Sequence, residues 1–229
     1  MRPGPLSRRP ILSLVTNRGR LALSTSGSAW LLELVARAIA VGVDLVQVRE
    51  PHLTDADMLA LVRRCVALAD GSATAILVND RLDIALAAGA AGVHLRGGSV
   101  AASAIRPHAP PGFLLGRSVH GITEALAVET AGGVDYLTFG TVYRSRSKPG
   151  LAPQGAARLG AAVRAVTLPV LAIGGITVDN TGEVFGLGAA GVAAIDLFVE
   201  PNRLDGVDGL RRVVEAVRQS YANSNGHGK

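Results

Sequence analysis

At 229 residues the chain has the length of one large α/β domain, and barrels commonly reach about 250 residues as a single domain. Hydrophobic residues make up 48% and aromatics only 3%, so the core is built from Ala, Val, Leu and Ile, which suit buried parallel strands and their covering helices. The formal charge of +5 is scattered, with no basic helix or aromatic-interleaved patch of the kind that binds nucleic acid.

In chain order, a strand is predicted over Ile11–Thr16, a helix over Ala29–Val41, a strand over Leu45–Arg49 and a helix over Asp55–Ala69. A strand follows at Ala75–Asn79, a helix at Arg81–Ala88, a strand at Gly92–Leu95 and a helix at Val100–His108. Next come strand Leu114–Val119, helix Thr123–Ala131, strand Tyr136–Phe139 and helix Ala156–Val166. The series ends with strand Val170–Ile173, helix Asp179–Leu187, strand Val192–Ile195 and helix Val207–Ser220. Thr54 and Thr123 stand where they can cap the helices behind them. Strands alternating with helices imply right-handed βαβ units. Eight of them imply a single (β/α)8 TIM barrel over 11–221. An open doubly wound sheet is the alternative, but no GxGxxG follows the first strand.

Residues 1–10 read as a loose N-terminal tail and 222–229 as a disordered C-terminal one. Cys65, the lone cysteine, excludes an intrachain disulfide or a multi-cysteine metal site and reads as a core residue. Ile11–Val15 is too short for a signal-peptide core, and no run nears the ~20 apolar residues of a membrane span. The expected compartment is the cytoplasm, with no membrane and no nucleic acid as partner.

In a barrel of this kind the strand C-termini open onto the catalytic face. Gly116-Arg-Ser-Val-His120 brings an imidazole there, suited to take and return a proton near neutral pH; a capping or packing role is the other reading. Ile173-Gly-Gly-Ile-Thr177 offers backbone N–H groups at Gly174 and Gly175 to a phosphate, or is an ordinary tight turn. Asp196, expected at the end of the eighth strand, places a carboxylate beside that phosphate site. Arg49-Glu50 and Asn79-Asp80 offer polar groups to the same face, or pair with each other as strand ends. His94 points from the fourth strand region, whereas His52, His108 and His227 read as surface. The long connection Thr141–Pro153 carries Ser145, Arg146, Ser147 and Lys148, either as a lid over an anionic ligand or as a solvated loop.

Together these segments resemble the thiamine-phosphate synthase and thiazole tautomerase (TenI) superfamily. The resemblance runs from about Ile11 to Phe198. It rests on Val46-Gln-Val-Arg-Glu50, Val78-Asn-Asp-Arg81, Gly92-Val-His-Leu95, Gly116-Arg-Ser-Val-His120, Asp135-Tyr136, Gly140 with Ser145-Arg-Ser-Lys148, and Pro169-Val-Leu-Ala-Ile-Gly-Gly-Ile176. The synthase branch resembles a Mg²⁺-dependent enzyme joining an aminopyrimidine pyrophosphate to a thiazole phosphate. Its pattern has a lysine where this chain has Pro51, and a metal-binding aspartate where this chain has Ser99; Asp80 matches the other metal-binding aspartate, and Arg96 is a candidate substitute cation. The tautomerase branch resembles a cofactor-free isomerase that shifts one proton to aromatise a carboxythiazole phosphate. The losses at Pro51 and Ser99 favour that branch. The resemblance then implies His120 as acid/base, with Arg49, Asn79, Ser118, Ser145, Ser147, Lys148, Gly174 and Gly175 holding a small phosphorylated thiazole. It implies no cofactor and a homodimer. A synthase using Asp80 and Mg²⁺, and a non-catalytic barrel binding a thiazole or thiamine phosphate, are the alternatives.

Overall fold

A computed structural model of the chain describes residues 4–17, 19, 27–146, 150 and 152–226. Eight parallel strands close into a barrel in sequence order, β1 pairing with both β2 and β8. They are β1 Ile11–Val15, β2 Leu45–Val48, β3 Ala75–Asn79, β4 Gly92–Leu95, β5 Leu114–Val119, β6 Tyr136–Gly140, β7 Val170–Ile173 and β8 Gly191–Ala194. The helices are α1 Gly27–Ala40, α2 Asp55–Ala69, α3 Leu82–Ala87, α4 Ala102–Ile105, α5 Ile122–Ala131, α6 Ala156–Ala165, α7 Thr181–Gly186 and α8 Asp196–Asn225. This is the single TIM barrel that the alternation predicts.

Two apolar layers hold it. The larger lies between strands and helices, where β-branched residues and leucines of the outward strand faces meet the helix stripes. Cys65 is fully buried there, and burial pushes its thiol up to about 12; it is a packing residue. The smaller layer fills the lower barrel with Ile11, Leu45, Ala75, Leu77, Tyr136 and Leu171, and Leu6 packs against it from below. The segment 4–10 is therefore not loose: Pro10 is buried, and the Arg218 guanidinium donates to its carbonyl at 3.3 Å. Arg218 also reaches the Gly42 carbonyl at 2.7 Å and the Asp44 carboxylate at 3.3 Å, tying the last helix to the barrel foot.

Several helix ends differ from expectation for local reasons. Thr54 caps α2 through the Asp57 N–H, as its position suggests. Thr123 does not cap α5, which starts one residue earlier behind Gly121. The His120 N–H is met instead by the Glu124 carboxylate reaching back, at 2.7 Å. The helix expected over Val100–His108 is split into α4 and a 3₁₀ turn at Arg106–His108, in which Pro107 carries no N–H to continue the ladder. Thr177 and Asn180 form a reciprocal capping box that makes Val178–Asn180 a 3₁₀ turn ahead of α7. The largest difference is α8. It starts at Asp196, bends at Gly206 (φ 60°) and runs to Asn225, so 222–225 are helical rather than disordered. Burial of Leu197, Phe198 and Val199 holds the first part helical despite Pro201 and Gly206.

Candidate active site

Side chains on a strand alternate between faces, so each apolar residue in the lower barrel predicts what stands above it. Leu45 is followed on the inner face by Gln47 and Arg49, Leu77 by Asn79, and Tyr136 by Thr138. Gly92 is followed by His94 and Arg96, Gly116 by Ser118 and His120. Gln47, Arg49, Asn79, His94, Arg96, Ser118, His120 and Thr138 all line one cavity of about 810 Å³ at the strand C-termini. That size suits small organic ligands.

The cavity floor is a hydrogen-bonded polar layer. Gln47 donates to the Asn79 side-chain oxygen at 2.9 Å. The His94 ring meets the Tyr136 hydroxyl through Nδ1 and Ser118 Oγ through Nε2, each at 2.9 Å, and Ser118 Oγ lies 3.1 Å from Thr138 Oγ1. Tyr136 can stand beneath His94 because residue 116 is glycine: a Cβ there would fall 2.2 Å from the ring's Cζ. Burial lowers the His94 pKa from 6.5 to about 4, so the imidazole is neutral, one nitrogen donating and the other accepting. Its folded value lies below its unfolded one, so the unfolded chain takes the proton first. Stability present above pH 6.5 is therefore lost as pH falls toward 4, by about 1.4 kcal/mol per pH unit. Urea midpoints measured across this window are expected to slope for the wild type and to flatten for His94→Gln; equal slopes would remove His94 as the cause.

His120 stands higher, at the end of β5, its Nδ1 donating to the Gly140 carbonyl. A carbonyl only accepts, so in the neutral ring Nε2 keeps its lone pair. The β7 glycines face the same space with left-handed backbones, φ +98° at Gly174 and +65° at Gly175. Their lack of a side chain has a packing cause as well. A Cβ on Gly174 would lie 2.4 Å from Thr141 Cγ2, and one on Gly175 would lie 2.3 Å from the Arg144 carbonyl oxygen. The β6–α6 connection thus lies directly on the glycine turn. Val142 and Tyr143 donate backbone bonds to Ile173 and Gly174, and the Tyr143 hydroxyl donates to Glu183 of α7 at 2.5 Å. So anchored, it carries Arg144, Ser145 and Arg146 into the cavity mouth.

Charge is concentrated at that mouth. Arg49, Arg96, Arg144 and Arg146 line it, with Asp196 and Glu200 of α8 on one side. Asp196 is the first residue of a helix rather than a strand end, so its carboxylate belongs to the α8 N-terminus. Arg146 approaches Glu200 at 3.7 Å. Asp80 is turned away from the strand-end pairing with Arg49 that the sequence left open. It adopts φ 61°, and Arg96 Nε donates to its Oδ2 at 2.6 Å while Ser99 donates to its Oδ1.

Of the residues expected to act, Arg49, Asn79, Ser118, His120, Ser145, Gly174 and Gly175 are brought to this one cavity. Ser147 and Lys148 lie outside the described residues. Gln47, Thr138, Arg96 and Arg144 also line it, and His52, read as surface, stands at its exposed rim. Gln47 and Thr138 were legible by counting two back from Arg49 and Gly140. Arg144 carries no comparable signal.

The sequence pattern of the family described as thiamine monophosphate synthase matches residues 12–198. A Geobacter sulfurreducens protein, provisionally named a thiamine-phosphate synthase, is 41% identical over 189 residues, spanning 82% of this chain and 86% of its own. The thiamine-phosphate synthase of Methanoculleus marisnigri is 38% identical over 168 residues, spanning 73% and 79%. Among solved structures, the thiamine phosphate pyrophosphorylase from Pyrococcus furiosus superposes with a TM-score of 0.75 at 28% identity, over 94% of this chain and 98% of that one. These relatives overturn the isomerase expectation: proteins 35% to 41% identical to this chain bear the synthase name. The structure supplies a physical reason for the error. That expectation rested on charges missing at Pro51 and Ser99, and the structure pairs Arg96, the candidate substitute cation, with Asp80 beside Ser99.

Proposed function

The chain belongs to the thiamine monophosphate synthase family, and from that membership we propose that it is a transferase joining an aminopyrimidine pyrophosphate to a thiazole phosphate. In that reaction the bond from the pyrimidine methylene carbon to the pyrophosphate oxygen breaks, and the electron pair leaves with pyrophosphate. The thiazole nitrogen gives its lone pair to the methylene carbon. The products are thiamine phosphate and pyrophosphate.

The observation that carries this reading is the layered cavity, polar and neutral at its floor and ringed by arginines at its mouth. Gln47, Asn79 and Ser118 supply fixed donors and acceptors for a flat amino-heterocycle. Arg49, Arg96, Arg144 and Ser145 suit a leaving diphosphate, whose developing charge must be met where it forms. The N–H groups of the Gly174-Gly175 turn suit the thiazole phosphate. No proton leaves carbon in this reaction, so His120 has a positioning part: its tethered ring walls the cavity near Gly140.

The resemblance also brings Mg²⁺, which is typically held by one or two carboxylates together with substrate phosphates. Asp80 is the carboxylate at the expected corner, and both its oxygens are engaged, by Arg96 and Ser99. Among the described residues no group of three His, Cys, Asp or Glu could hold a metal ion. With both Asp80 oxygens engaged and a guanidinium against them, this corner does not fit a resident magnesium ion, and the steps above involve none.

Incubating the purified protein with both precursors, with and without added Mg²⁺, is expected to yield thiamine phosphate and pyrophosphate in equal amounts by mass spectrometry. No product under either condition would reject the transferase.

A further inference from the structure

We infer that Arg96 is a built-in cation that receives pyrophosphate at this site, so that the chain binds and releases the diphosphate without a metal ion. The inference rests on the transferase reading for its ligand and on the geometry of one corner for its mechanism.

Arg96 follows β4 and lies on the cavity wall. Its position is set from three sides. Two of its nitrogens face Asp80 Oδ2, Nε at 2.6 Å and Nη2 at 2.5 Å. Its own backbone N–H donates to Ser99 Oγ at 2.9 Å, and Ser99 in turn donates to the other Asp80 oxygen. Beneath it, the Arg117 guanidinium donates to the carbonyls of Gly97, Ser99 and Val100 at 2.7, 2.9 and 2.9 Å, bracing the turn that carries Arg96. The result is a preorganised guanidinium rather than a wandering surface side chain.

Charge decides what this corner can do. Two carboxylates around one divalent ion sum to zero, and so does Asp80 with Arg96. Ser99 in place of a second carboxylate removes one negative charge, and Arg96 adds one positive. The corner thus reaches the same local charge with protein groups alone. A divalent ion brought to Asp80 would lie beside the guanidinium, like charge against like.

The pair is also able to work. The Arg96 side chain is 70% exposed and Asp80 18%, and ion pairs with an exposed partner contribute little stability. A guanidinium has five N–H donors, so Arg96 keeps donors for a phosphate while paired, and charge-assisted guanidinium–phosphate bonds are strong. Neither side chain belongs to the apolar core, so both can be changed without unfolding the barrel.

The test is binding of inorganic pyrophosphate by calorimetry, in EDTA and again with Mg²⁺, on the full chain and on Arg96→Ala, Arg96→Lys and Asp80→Asn. Asn tolerates the left-handed backbone at position 80. The wild type is expected to bind in EDTA. Arg96→Ala is expected to bind roughly 10- to 100-fold more weakly, the factor for losing charged hydrogen bonds, and Arg96→Lys to fall between. Asp80→Asn leaves Arg96 without its counter-charge and is expected to bind as well as wild type or better. A metal site predicts the reverse for Asp80→Asn. Binding only with Mg²⁺, no binding at all, an unchanged Arg96→Ala, or loss in Asp80→Asn would each overturn the inference. The coupling assay is read separately: absence of thiamine phosphate rejects the transferase, while pyrophosphate binding still judges Arg96.

Discussion

Gly116→Ala is expected to lower the stability of the barrel by about 3 kcal/mol from overpacking alone, the upper end of that effect in a filled core. The new methyl carbon would stand 2.2 Å from Tyr136 Cζ and 2.4 Å from its hydroxyl. The ring has nowhere to go, being 1% exposed and enclosed by Ile11, Leu45, Ala75, Leu77 and Leu171. Any displacement also breaks the hydroxyl's bond to His94, leaving a buried imidazole nitrogen unmet, which adds about 1–3 kcal/mol. Urea unfolding would measure the loss. Gly116→Ala/Tyr136→Leu removes the clashing ring and is expected to recover part of the stability lost in the single variant. An unchanged midpoint for Gly116→Ala would show that the ring is free to shift and that the lower barrel is less tightly filled than its distances imply.

The second large effect is on activity. Gly175→Ala places a side chain where φ is +65°, and its Cβ would lie 2.3 Å from the Arg144 carbonyl and 2.8 Å from Tyr143 Cβ. The left-handed backbone alone disfavours alanine by about 1–2 kcal/mol. The larger consequence is that residues 143–144 must move off the turn, taking Arg144 and Ser145 with them. A displacement near 1 Å in groups that position a reacting ligand lowers turnover on the order of 10²-fold. We expect that loss in kcat/KM for the proposed coupling reaction, with the circular dichroism spectrum retained. Near-normal kinetics would detach the β6–α6 connection from the chemistry.

The legible and illegible parts of this chain divide on physical lines. Strand positions were readable to within one residue because buried parallel strands are short apolar runs bounded by small residues. The gathering of Arg49, Asn79, Ser118, His120 and Gly174 at one cavity followed from the barrel alone, since they sit at strand C-termini. Two things were hidden. Helical structure from Asp196 contradicts its own Pro201, and tertiary burial of Phe198 overrides local propensity. The charge pattern of the mouth was the other. Arg96 was legible as a candidate substitute cation, but it lies 16 residues from Asp80, and the sequence does not tell that its guanidinium folds onto that carboxylate. The resemblance was sound at the level of the superfamily and misjudged the branch for that reason.

The filled lower barrel has a kinetic consequence. With Tyr136, Leu171 and Leu77 occupying its lower interior and Leu6 beneath, the cavity opens, among the described residues, at the strand C-termini. A ring resting on Ser118 and Asn79 lies deep in the cavity, and in the proposed reaction it brings its diphosphate in with it, to the arginines of the mouth. The joined product of that proposed reaction then has to leave past the same arginines that hold the freed diphosphate. Release past those arginines is thus a separate step of the proposed cycle, distinct from bond-making within.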